Sequence, residues 1–96
     1  HTLVIPKQEI DYLFDLPEPL YLGLMSFARS LTPALQKACP CLKIGVAVVG
    51  LEVPHAHVHL IPLNSLSDID FKKERSRLSN EDLSVVADRI RQAMTD

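Results

Sequence analysis

"PHAHVHLIP", residues 54–62, sets three histidines at alternate positions between two prolines, in a chain of 96 residues that has four histidines in all. In a β-strand, side chains alternate between two faces. His55, His57 and His59 therefore project from one side, and Ala56 and Val58 project from the other. The apolar pair can face a core while the imidazoles line an open surface, spaced roughly 6.5–7 Å apart along the backbone. One exposed histidine carries little information, but three at period two, backed by small apolar residues, describe a site.

The surrounding pattern gives the frame. "TLVIP", residues 2–6, is short and β-branched and reads as a strand, with Leu3 and Ile5 expected in the core. "DYLFDLPEP" carries the chain through a turn, where Asp15 reads as a turn or capping residue, and Pro17 and Pro19 mark a helix start. Leu20, Leu24, Phe27, Leu31, Leu35 and Ala38 then step by four and three, one stripe of an amphipathic helix. Pro33 falls inside that stripe without changing its phase, which predicts a kink rather than a stop. "IGVAVVGLEV", residues 44–53, reads as a central strand with Gly50 at a bend or bulge. "HAHVHLIPL", residues 55–63, follows so closely that the two are expected to pair antiparallel. "NSLSDIDFKKERSR" reads as a loop, and its "KKER" run at 72–75 as a solvated stretch. Ser79 with Asp82 resembles a capping box, opening a closing helix with a stripe of Leu83, Val86, Ile90 and Ala93. The order β, α, β, β, α predicts a single α+β domain over residues 1–96, with helices on one face of a mainly antiparallel sheet. About three strands make a thin sheet, which favours further strands upstream or a dimer that extends it. The chain opens directly on "HTLVIPK" without a methionine, so a longer parent chain is expected.

Composition narrows the function. With 47% hydrophobic and 23% charged residues and a formal net charge of −2, the chain reads as an ordinary globular protein. It has no basic footprint for nucleic acid and no apolar run long enough to cross a membrane. Cys39 and Cys41 sit too close together for an unstrained mutual disulfide and read as reduced thiols of a cytoplasmic protein.

Two chemistries compete for the histidines. A metal could take two of them, His55 and His57, with Glu52 or a remote histidine as third ligand. Three same-face positions on one extended strand reach too far, however, to close around one ion at about 2.0–2.1 Å. Phosphorus chemistry uses the spacing better. Neutral imidazole is a nucleophile, its proton affinity suits exchange near pH 7, and flanking rings can hold charge against phosphoryl oxygens.

"HAHVHLI" resembles the signature of the histidine triad (HIT) family, and "HTLVIPK" at residues 1–7 with "FDL" at 14–16 is similar to the family segment that precedes its long helix. The resemblance runs along essentially the whole chain and implies a HIT-like fold, a mainly antiparallel sheet carrying one long helix and a C-terminal helix. It implies a nucleotide hydrolase with a purine nucleotide substrate, cleaving at the α-phosphate of nucleoside phosphoramidates or dinucleoside polyphosphates. His57 would attack phosphorus and carry a nucleotidyl-imidazole intermediate, with its other ring nitrogen held by the backbone carbonyl of His55. His55 and His59 would flank the phosphate, and His1 matches a fourth family histidine behind the triad. His59, in place of a glutamine, points to hydrolysis rather than transfer. Substrate contact falls to His1, Glu52 and Val53. No cofactor, metal, nucleic acid or membrane is implied; a homodimer is. Two departures stand out. Leu51 and Glu52 occupy positions where family members carry polar groups that assist the leaving group, and Gln8 and Glu9 replace a histidine used elsewhere for structural zinc. The altered loop leaves a non-catalytic, nucleotide-binding member as the alternative to an enzyme.

Overall fold

The computed structural model describes residues 1–70 and 78–95. Its centre is β3, Val58–Leu63, which has a strand on each side. β1, Thr2–Val4, and β2, Lys43–Ala47, both pair with it antiparallel, giving the order β1-β3-β2. The register sets Leu3 and Ala47 opposite His59, and Val4 opposite Val58. Cross-strand partners share a face, so the histidine side and the core side are each continuous across the sheet.

On the core side, Ala56, Val58 and Leu60 are at most 2% exposed and join Val4 from β1. The long helix α1, Glu18–Ala38, covers them with Leu24, Ala28 and Leu35. Pro17 caps its start and Pro19 lies in its first turn, where a missing N–H forfeits no helical bond. Pro33 sits inside the helix, which continues through it as one element. The carbonyl that Pro33 cannot satisfy, that of Arg29, instead accepts the Thr32 hydroxyl at 2.8 Å. A 3-10 turn at Leu13–Asp15 buries Leu13 and leads into α1.

Several expected features shift. Phe27 is 56% exposed and the neighbouring Ala28 is buried in its stead. The core face of α1 centres on Leu24, Ala28, Leu31 and Leu35, and Phe27 lies roughly 60° around the helix from Leu24. Leu3 and Ile5 are 47% and 53% exposed, because the strand's alternation that buries Val4 turns them to the histidine side. β2 stops at Ala47 rather than reaching 53, and Gly50 adopts a positive φ of 72° that turns the loop behind it. β3 correspondingly begins at Val58: its last partners are Val4 and Ala47, so among the described residues no strand continues alongside residues 55–57. The alternation of faces nonetheless persists through Ala56, whose N–H is bonded to the Ile10 carbonyl at 2.8 Å.

Gly45 has a packing role that sequence reading missed. A Cβ there would run into the Leu63 side chain and come within 3.5 Å of Ile69, which belongs to a second 3-10 turn, Leu66–Ile69. That turn packs against β3 near the Gly45–Ile61 pair. α2, Asn80–Thr95, starts with the Ser79 hydroxyl accepting the Asp82 N–H at 3.1 Å. Its stripe is less buried than expected: Leu83 is 52% exposed and Val86, Ile90 and Ala93 are half-buried. The helix packs mainly against α1, and between its stripe and β1 lies a cavity of about 310 Å³. No helix among the described residues is long and apolar enough to cross a membrane. The "KKER" run lies outside the described residues.

Leu60 is the test of this arrangement, being 1% exposed at the middle of the sheet. Leu60→Ala should cost about 2–5 kcal/mol of unfolding free energy. A urea titration reads it, and a loss below about 1 kcal/mol would contradict the packing described.

Candidate functional site

Loss of strand partners at residues 55–57 frees backbone groups there, and the histidines use them. His57 Nδ1 lies 2.8 Å from the His55 carbonyl. A carbonyl can only accept, so Nδ1 carries the hydrogen and the neutral ring keeps its lone pair on Nε2. A second carbonyl orients His55: its Nε2 lies 2.9 Å from the Pro6 oxygen and donates to it. The loop closes tightly in front of the triad, with the His55 N–H donating to the Val53 carbonyl at 2.9 Å.

Three of the four rings form a row. His57 and His59 meet edge-to-face with centroids 4.8 Å apart, and His59 and His1 do so at 5.0 Å. His1 Nε2 and His59 Nδ1 are 2.8 Å apart, so one of these nitrogens donates to the other. His57 and His59 open onto a cavity of about 430 Å³, whose remaining wall is residues 49–53. Glu52 and Val53 belong to that wall.

The sequence candidates thus separate. His57, His59, Glu52 and Val53 share the cavity, whereas the His55 ring is committed to Pro6 and does not line it. His1 stands behind His59 and borders the apolar cavity beneath α2 instead. Val49 and Gly50 line the site without having been picked out as substrate contacts, and Leu51, singled out as a departure from the family, lines it with them. The carbonyls of Pro6 and Ile10, which position His55 and Ala56, left no signal in the sequence, because every residue has a carbonyl. Among the described residues, no group of three or more His, Cys, Asp or Glu side chains is arranged to hold a metal ion. Cys39 and Cys41 are free and half-buried, and neither lines the histidine cavity.

Three alternate histidines, the second with its ring tied to the backbone carbonyl of the first, can be compared with known families. Residues 1–66 match the HIT domain. The chain belongs to the HIT family. Solved HIT proteins share its architecture. A histidine triad protein from Sinorhizobium meliloti superposes with a TM-score of 0.77 at 21% identity, over 95% of this chain and 72% of that one. One from Marinobacter aquaeolei gives 0.79 at 18% identity, over 97% and 72%. A third, from Bradyrhizobium japonicum, gives 0.74 at 21% identity, over 96% and 73%. At these identities the likeness establishes the HIT fold. The matched HIT segment includes the whole histidine row and the 49–53 wall.

The carbonyl contact of His57 has a direct spectroscopic consequence. Long-range ¹H–¹⁵N spectra of the neutral protein should show His57 protonated at Nδ1 and bare at Nε2. The reverse pattern would mean that the His55 carbonyl does not hold the ring in solution.

Proposed function

We propose that this chain is a nucleotide hydrolase of the histidine triad type, acting at the α-phosphate of a purine nucleoside phosphoramidate or dinucleoside polyphosphate. The observation that carries the reading is the His57 ring: Nδ1–H is tied to the His55 carbonyl, and the ring opens onto a cavity it shares with His59. An imidazole fixed in this way is prepared to attack without first choosing a tautomer.

In the first step Nε2 of His57 forms a bond to the α-phosphorus as the bond to the leaving group breaks, and the leaving atom takes the electron pair. His59, backed by His1, supplies hydrogen bonds and charge to the phosphoryl oxygens and manages the proton. In the second step water bonds to phosphorus, the N–P bond breaks, and His57 is regenerated. His55 acts through its carbonyl on His57, with its own ring anchored on Pro6. Metal is not required by this sequence of steps. Free thiols at Cys39 and Cys41 suit a cytoplasmic setting.

We also propose a homodimer that extends the sheet. Among the described residues β1 and β2 have no further strand on their outer edges, and Leu22, Phe27 and Val46 are 52–56% exposed. A second reading, nucleotide binding without turnover, draws on Leu51 and Glu52 at the cavity wall. Tight nucleotide binding with no hydrolysis would select it.

The hydrolase reading is tested with adenosine 5′-phosphoramidate in excess EDTA. The chain should turn it over, and His57→Ala should lower kcat by at least about 10³-fold. Activity retained in that variant would remove the mechanism. Sedimentation velocity should give twice the mass of one chain; a monomer throughout the micromolar range would remove the dimer.

A further inference from the structure

Between Lys7 and Arg29 the sequence has no lysine, arginine or histidine, but it has four carboxylates, Glu9, Asp11, Asp15 and Glu18. All four are exposed, and none has a hydrogen-bond or ion-pair partner among the described residues. Aromatic rings stand among them. Tyr12 and Phe14 meet edge-to-face with centroids 5.4 Å apart, and Phe14 lies at a tilt 6.1 Å from Tyr21. The 3-10 turn at Leu13–Asp15 explains why the middle ring faces outward: Leu13 and Leu16 are buried, and Phe14 between them is 67% exposed. A polar side chain at position 14 would serve that turn equally well, so packing does not account for the ring.

Phe14 borders two hollows of about 300 Å³ each. One is lined by Phe14, Leu16, Glu18 and Tyr21. The other is lined by Asp11, Tyr12, Leu13 and Phe14 together with residues 48–51 and Ala56. Each hollow thus joins aromatic rings to one carboxylate, and neither has a lysine, arginine or histidine in its lining. We infer that this face binds a basic segment of a partner protein, with arginine side chains seated in the two hollows.

A guanidinium can lie flat on an aromatic ring while its N–H groups donate to a carboxylate, and each hollow offers both partners. An ammonium is a compact point charge and reproduces only part of this. Two arginines two or three positions apart on an extended segment stand roughly 7–10 Å apart, the scale of the two ring-to-ring steps through Phe14. Nucleic acid and anionic lipid carry the wrong charge for four unpaired carboxylates. Each contact is exposed and individually weak, so the association is transient and sensitive to salt. The inference is independent of the chemistry at the histidines, since no histidine lines either hollow.

The test follows backbone amide shifts of the ¹⁵N-labelled chain as the peptide acetyl-Gly-Arg-Gly-Arg-Gly-amide is added at low salt. Shifts should concentrate at residues 9–21 and 48–51, and affinity should fall at least about fivefold between about 20 and about 200 mM salt. The lysine version should bind roughly two- to fivefold more weakly, and the citrulline version, uncharged but of arginine's shape, should not bind. Phe14→Ser, and Asp11→Asn combined with Glu18→Gln, should each lower affinity roughly three- to tenfold. These side chains are exposed, so the amide spectra of the variants should otherwise match the parent. Affinity within about twofold of the parent in both variants would overturn the inference. So would parental affinity for the citrulline peptide, absence of binding at millimolar peptide, or shifts centred on Glu81 and Asp82 of α2 instead of this face. Sedimentation separates a partner protein from a second copy of the chain. Phe14→Ser should leave the sedimenting mass unchanged; a fall in mass would make the face a contact between copies and overturn the inference.

Discussion

A β-strand offers two faces, and the stretch from 55 to 63 has to satisfy both at once. Ala56, Val58 and Leu60 are among the least exposed side chains of the chain, while His55, His57 and His59 alternate with them. Any slip of one residue in register would bury imidazoles and expose the core. The burial of Val58 and Leu60 against α1 therefore does more than stabilise the fold, because it also fixes where the histidines point. Core and site are two consequences of one alternation.

The site depends equally on where that strand stops being a strand. β1 and β2 both run out of partners beside Val58 and His59, and the residues before them bond elsewhere. The His55 carbonyl, freed from any ladder, accepts the Nδ1–H of His57, and Ala56 is held by the Ile10 carbonyl. Had the ladder continued, that carbonyl would face a neighbouring N–H and His57 would lose its orienting partner. A short strand leading out of a tight turn thus sets the geometry of the candidate site. The same turn closes residues 49–53 over the open end of the histidine row.

The row also divides labour among chemically identical side chains by geometry alone. His55 is anchored to Pro6, His57 is tied to backbone on one nitrogen, and His59 faces His1. Each imidazole has two nitrogens, and the partner of one decides what the other can do. The cavity wall opposite is apolar with a single carboxylate, so the two sides of the site differ in character as well as in sequence.

Much of this was legible in the residues themselves. Period-two spacing placed Ala56 and Val58 inward and the histidines outward, and the proximity of the two strands gave their antiparallel pairing. The stripe of α1 and the bend at Gly50 were also readable, since each depends on local periodicity or local backbone freedom. What the sequence could not decide was which apolar residues win a limited core. Phe27, Leu3 and Ile5 are as hydrophobic as their buried neighbours, yet Ala28 and Val4 occupy the interior because helix angle and strand face, not hydrophobicity, assign the places. Nor could it show that the His55 ring would turn to Pro6 and leave the cavity to His57 and His59. That choice is made by the Pro6 carbonyl, which the fold brings to the His55 ring from 49 positions away. Side-chain pattern is written along the chain, whereas the meeting of a ring with a distant backbone carbonyl exists only once the chain has folded.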